Sequence, residues 1–377
     1  LLGQADGALA DLQGIEPQGD ADRLTVLRAE ARRGLGETDA ARAAFQSALQ
    51  INPDNARARR GLARIALSER DYDEVDRLLG QAAGGPPQDA KTLTLKGDIA
   101  LIRGHFESAL EAYVAARALA PHAPAILLGL VSAHLGLKHT QAADELLARL
   151  HQVSPNRLMV NYLRSVSAHQ KGDLDGALRA LREVLRVSPK HPPSLLMIGA
   201  LHHIKGEDRL ADEALTKFIV VKPNHIGARK LLAAVHMRLG AAQAAIATLE
   251  PALQLVPDDP QLLAMLGAAH VAAGEPQRGT ELLERAATLD PDAASIRTQL
   301  AFQQLLGGDA QTAVDSLRGA LEIDPAFSRA ELLLIFAHLH KGNWDAAISV
   351  GQALLTKQPE NPLAHNVLGV AFERNGD

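Results

Sequence analysis

From Gly199 to Pro223 the chain reads as two amphipathic helices, split by Gly206-Glu207 and closed by a proline. Apolar residues recur three and four positions apart on either side of that turn, the spacing of one helical face. The same grammar returns forward from Pro223 to Pro257 and backward to Pro189, always at the same interval. The register then holds at Pro53, Pro87, Pro121, Pro155, Pro189, Pro223, Pro257, Pro291, Pro325 and Pro359, ten of the 19 prolines. A fixed period of thirty-four with two helices per unit is the mark of a repeat array.

Other positions keep the same phase. Seventeen places after the proline stands Gly36, Gly104, Gly172, Gly206, Gly240, Gly274, Gly308, Gly342 or Gly376, as expected where a helix closes through a left-handed residue. Five places later comes a small side chain: Ala41, Ala109, Ala143, Ala177, Ala211, Ala245, Gly279, Ala313 or Ala347. A small residue at a fixed site of every second helix lets paired helices approach closely. The spacing predicts first helices beginning near 22, 56, 90, 124, 158, 192, 226, 260, 294, 328 and 362, with second helices starting half a period after each. Ala56 to Asp89 is the most degenerate unit. It has Arg70 for the glycine, Val75 for the alanine and Gly84-Gly85-Pro86-Pro87 at its end, so its second helix should be short. Pro251 falls inside a second helix and should bend it unless its neighbours compensate.

Glycine, alanine and proline agreeing in one register resembles the tetratricopeptide repeat. The family's Leu-Gly pair is matched by Ile198-Gly199, Leu266-Gly267 and Leu368-Gly369, with alanine for glycine at Ala63, Ala233 and Ala301. The resemblance implies an all-α fold, a right-handed superhelix of antiparallel helix pairs. The expected organisation is a partial repeat at 1–21 (second helix only), ten repeats over 22–361, and a partial repeat at 362–377 (first helix only). An unbroken period argues for one elongated solenoid with nearest-neighbour stability, not several globular domains. Because both ends fall inside repeats, the chain is expected to be part of a longer array, with end-to-end contacts between copies or disorder in the terminal helix at either end.

Composition removes alternatives. A net charge of −5 and a pI near 6.3 give no nucleic-acid footprint. With no cysteine there is neither disulfide nor thiol chemistry. No apolar run reaches the length of a membrane span, and Leu1-Leu2-Gly3-Gln4 lacks the basic start of a signal peptide. No phosphate loop, nucleophile elbow or zinc-type histidine pair is present. The chain is therefore expected to have no catalytic residue, cofactor or metal. His134, His202, His236, His270 and His338 form a column at one fixed offset from the phase proline. That site lies between paired helices in the family, so the column is read as structural.

In proteins of this resemblance the first helices line a concave groove, at positions +4, +7, +11, +14 and +15 counted from the proline. Those sites here hold Leu128, Leu135, Tyr162, Val166, Leu196, Ala268, Val271, Phe302, Leu305, Leu332, Phe336 and Leu339. They also include Ser132, His169, Ala200, His203, Ala264 and Thr298. Apolar surface beyond the packing faces points to a protein or peptide partner. In the first repeats the same sites hold Arg23, Arg33, Arg57, Arg60, Arg64 and Lys91, with Glu30 and Asp98 as counterions. They would make a basic mouth suited to acidic peptide or anionic sugar. Phrases such as Val220 to Ala233 look most like the repeat lipoproteins of bacterial exosortase/PEP-CTERM sorting and exopolysaccharide systems. That likeness implies a protein-binding scaffold in the periplasm, tethered to the outer membrane. A cytoplasmic adaptor for peptide tails, or the repeat arm of an enzyme such as a glycosyltransferase, stands beside it.

Overall fold

The computed structural model describes residues 7, 10–12, 21–80, 89–153 and 157–375. Pro87, Pro155, Gly376 and the 84–87 ending lie outside them, as does most of the expected first partial repeat. Every regular element among the described residues is an α-helix. The contacts divide the chain into two compact units, Leu1–Val187 and Ser188–Asp377, where the sequence period alone suggests a single array. The period itself passes the division unbroken, because Pro189 is in phase.

In the first unit the first helices are α1 (Ala21–Gly34), α3 (Ala56–Ser68), α5 (Ala90–Ile102), α7 (Pro124–Gly136) and α9 (Arg157–Gln170). They alternate with second helices α2 (Thr38–Ile51), α4 (Tyr72–Leu79), α6 (Phe106–Leu119), α8 (Thr140–Val153) and α10 (Leu174–Val187). In the second unit the first helices are α11 (Pro192–Ile204), α13 (Ile226–Arg238), α15 (Pro260–Ala272), α17 (Ala294–Leu306), α19 (Ser328–His340) and α21 (Pro362–Asn375). Their partners are α12 (Asp208–Val221), α14 (Ala242–Leu255), α16 (Pro276–Leu289), α18 (Ala310–Ile323) and α20 (Trp344–Lys357). The degenerate repeat shows the short second helix expected of it: α4 has 8 residues where α2 and α6 have 14. Helix α14 runs through Pro251 without a break.

Most pairs turn on the phase glycine. After α11, Gly206 (φ +78) donates to the His203 carbonyl at 3.1 Å, and Glu207 reaches back to the His202 carbonyl at 2.9 Å. This double closure satisfies carbonyls the helix leaves open. The same geometry recurs after α3 and α7 with Arg70 (φ +62) and Lys138 (φ +60) in the glycine's place. A left-handed L-residue costs roughly 1–2 kcal/mol, against about 0.5–1 kcal/mol of extra chain entropy for glycine. Arg70→Gly and Lys138→Gly are therefore expected to raise stability by up to about 1 kcal/mol each, read as a higher denaturant midpoint at unchanged slope. A lower midpoint would contradict the turn.

The alanine column forms the seam of each pair. Ala41, Ala109, Ala143, Ala177, Ala211, Ala245, Ala313 and Ala347 are wholly buried, and Val75 takes the place in α4. In α16 the site is Gly279. A Cβ there would stand 2.4 Å from Val271 Cγ2 and 2.7 Å from the Gly267 carbonyl, so α15 and α16 meet almost backbone to backbone. The core then continues to the next helix, as with Ala233, Ala245, Leu249, Leu262 and Leu266 from α13, α14 and α15.

Candidate functional site: an apolar cavity on the first helices

The first helices of the second unit are apolar on more than one face, burying one against their partners and leaving a second stripe beyond the core. Part of that stripe encloses a cavity of about 650 Å³. Its apolar wall is Met237 from α13, Met265, Ala268 and Val271 from α15, and Phe302 from α17. His203, Arg238, Gln299, Gln303 and Arg329 supply polar lining. Arg238 is held in place by Asp208 at 2.9 Å and the His203 carbonyl at 3.0 Å. The Asp208 carboxylate also meets His203 Nδ1 at 3.0 Å. The side chains of Gln299, Gln303 and Arg329 make no hydrogen bond or ion pair among the described residues. Phe302 and Phe336 are each 37% exposed, an unusual display for so large an apolar ring.

Ala268, Val271 and Phe302 are thus brought together by the fold, and Phe336 stands at the equivalent site one repeat on, outside that cavity's lining. Leu128, Tyr162 and Val166 are half-buried and pack on the first unit's core. Leu196, Leu305, Leu332 and Leu339 do the same in the second. Leu135 is not a groove residue. It is only 3% exposed, and Gln170 of α9 closes over the end of α7 by donating to the Leu135 carbonyl at 2.9 Å. Ala264 and Thr298 are also buried, Ala264 in a cluster with Leu263, Leu283, Ala286 and Ile296. Of the apolar wall, Met237 and Met265 were not foreseen, nor were the polar lining residues Arg238, Gln299, Gln303 and Arg329. Met237 occupies the +14 site counted from Pro223 and so holds the stripe register; Met265 lies one position off it.

The basic residues separate into two kinds. Arg23, Arg33, Arg57, Arg64 and Lys91 are exposed on α1, α3 and α5. Arg60 is not part of a basic mouth. It is 6% exposed, and its guanidinium binds Asp89 at 2.6 and 2.8 Å and Thr92 Oγ1 at 2.9 Å. Asp89 caps α5, so Arg60 ties one first helix to the start of the next. Lys230 and Asp259 repeat this tie at the same register, 2.8 Å apart.

The histidine column is built into the helix pairs. His202 Nδ1 meets Glu207 at 2.5 Å, and His270 Nδ1 meets Glu275 at 2.7 Å, each bridging the end of a first helix to its own turn. His236 lies between Asp212 and Thr248. Burial lowers the pKa of His134 and His338, which have neighbouring basic groups and no acidic partner for Nδ1. Among the described residues no group of three or more His, Asp or Glu is placed to hold a metal. No helix among them is long and apolar enough to cross a membrane.

Comparison with known proteins follows the same lines. Among curated proteins no match is found. The Cut9 and Hcn1 hetero-tetramer of the APC/C gives a TM-score of 0.50 at 18% identity, over 98% of this chain and 81% of that one. PilW, described as a widely conserved type IV pilus biogenesis factor, gives 0.51 at 16% identity, over 57% of this chain and all of its own. MamA from Desulfovibrio magneticus RS-1 gives 0.43 at 23% identity, over 46% of this chain and 97% of its own. The first two show a shared fold at identities too low to carry function. The model of the tetratricopeptide repeat matches residues 32–99, 100–165 and 304–370, more than half of the chain. With the glycine turns, the alanine seam and the proline stops all in that register, the chain belongs to the tetratricopeptide repeat family.

Proposed function

We propose that the protein is an interaction scaffold that binds a protein or peptide partner, without catalysis, in the apolar cavity of its second unit. The observation that carries this reading is the display of Phe302 beside Met237, Met265, Ala268 and Val271. A folded chain gains by covering such a wall, and methionine adapts to differently shaped guests. Phe336 extends the surface by one repeat. Adjacent helices stand about 10 Å apart, which matches successive anchors on a bound helix or an extended peptide. Within this reading the partner belongs to bacterial cell-surface protein sorting or exopolysaccharide export, with the protein held in the periplasm at the outer membrane. The support is the likeness of the Val220–Ala233 phrase to the lipoproteins of those systems.

The test pairs Phe302→Ala with Phe336→Ala. Partners crosslinked in the native host are identified and then titrated against both forms. The double variant is expected to stay folded, since neither ring belongs to the buried core. It is expected to lose about 2 kcal/mol or more of affinity, as aromatic anchors commonly do. Unchanged affinity would place binding elsewhere, and global unfolding would place the rings in the core. Cell fractionation with an envelope marker tests the location separately.

A further inference from the structure

We propose that a cavity on the second helices α6 and α8 of the first unit binds a small amphiphilic anion, an apolar chain ending in a carboxylate. The cavity holds about 750 Å³, within the roughly 300–1,000 Å³ of small-molecule sites. Val114 and Ala118 of α6, Pro121 after it and Leu127 of α7 give it an apolar wall, with Val114 46% exposed. Arg117 of α6, His122 and Arg149 of α8 supply its polar lining. Neither guanidinium makes a hydrogen bond or ion pair among the described residues. Glu111 and Glu145, on the same two helices, lie outside the lining and form no ion pair with either. Asp144, the other carboxylate of α8, is taken by Ser167 and Lys171, each at 2.6 Å. Burial, then repulsion from His139 and Arg117, lowers the pKa of nearby His134, so the Arg117 charge is felt inside the fold.

The repeat itself supplies a control for this site. Arg59, Arg229 and Arg297, six places after their phase prolines, each cover that proline's carbonyl, at 2.6, 2.7 and 2.8 Å. After Pro257 that place holds Leu263, and Arg285 covers the carbonyl instead at 3.0 Å while pairing with Asp258 at 2.6 Å. After Pro121 it holds Leu127, and Arg149, in the register of Arg285, makes neither bond. The counterpart of Asp258 is His122, so Arg149 lacks the carboxylate that the register provides there. Arg117 in turn takes a position held by Leu49, Leu185, Leu253 and Leu321 in other repeats. Two departures in one repeat thus set two guanidiniums without an ion pair beside an apolar wall. A guanidinium fork matches a carboxylate, and the wall favours an apolar body over water. A carboxylate brings one charge to desolvate, against about 1.5 to 2 for a phosphate monoester. This cavity lies in the first unit and the proposed partner site in the second, so the two readings are tested independently.

Octanoate is titrated into the 377-residue chain by isothermal calorimetry, beside octanol, acetate and octyl phosphate. Octanoate is expected to bind most tightly of the four. Arg117→Gln with Arg149→Gln should weaken it at least about tenfold, with the helical circular dichroism unchanged. His122→Asp should weaken it in the same direction, by giving Arg149 the carboxylate that Arg285 finds in Asp258. That variant restores a contact, so it carries the test should the double variant disturb the fold. Equal binding of octanol or acetate would overturn the proposal, as would undiminished binding by the folded variants. Tighter binding of octyl phosphate would overturn the carboxylate head. Phe302→Ala is expected to leave octanoate binding unchanged; a loss there would assign the ligand to the cavity of the second unit and overturn this site.

Discussion

Ala211→Arg is expected to destabilise the second unit by about 3–5 kcal/mol. Ala211 is 0% exposed in α12, at the point where α11 presents Gly199. A Cβ on Gly199 would lie 2.6 Å from Leu215 Cγ and 3.5 Å from the Ala211 carbonyl, so the two helices have no room for a longer side chain between them. An arginine must either bury its charge among Leu215, Leu232 and Val235 or push α11 away from α12. Both outcomes remove the seam that positions His203 and Arg238 at the cavity. Chemical denaturation measures the loss, and hydrogen exchange locates it in α11 to α13. Thermal unfolding identical to the parent would reject the assigned packing.

The second large effect belongs to Tyr113 in the first unit. Its ring is wholly buried in α6 and fills the space left by glycines on two first helices. A Cβ on Gly97 or Gly129 would come within 2.7 or 2.3 Å of that ring. Tyr113→Ala should cost about 3–5 kcal/mol, because neither helix can close onto the void without losing its own contacts. Tyr113→Phe keeps the ring and removes only the 2.6 Å bond to Asp98, for a cost of about 1 kcal/mol. Desolvation raises the Asp98 pKa, and the Tyr113 hydroxyl and Arg64 oppose that rise. The phenylalanine variant should therefore raise it further, as carboxyl NMR titration would record. A difference between the two variants below about 1 kcal/mol would mean that the ring does not fill the seam.

The architecture was legible because backbone geometry demands particular residues at fixed intervals. A left-handed turn asks for glycine, and a close helix crossing asks for alanine, so Gly206 and Ala211 announce the same pair of helices from opposite sides of the turn. Even the weak unit at Arg70 and Val75 was visible as a departure, and its helix α4 is short. The surface was read less well. Leu135 and Phe302 occupy neighbouring sites of one stripe in different repeats, yet one is core and the other exposed. What separates them is what each meets in the folded chain, Gln170 of α9 closing over the end of α7 at Leu135, a tertiary property that no single repeat encodes. Arg60 was misread for a related reason: its partner Asp89 belongs to the start of the following first helix. The division at Val187 left no mark at all, since the prolines keep phase across it.

The glycine turns also make the chain modular at the level of its gene. Gly206 and Gly240 adopt the same left-handed backbone and the same paired closure, with φ of +78 and +72. Excising 207–240 would join the end of α11 to the start of α14 through the same backbone turn, at the loss of the His202–Glu207 and His203–Asp208 contacts. Gly199 would then face Ala245 and Leu249 where it now faces Ala211 and Leu215, alanine for alanine and leucine for leucine. Recombination between such turns can lengthen or shorten the array in whole repeats while keeping the backbone turn and the alanine seam.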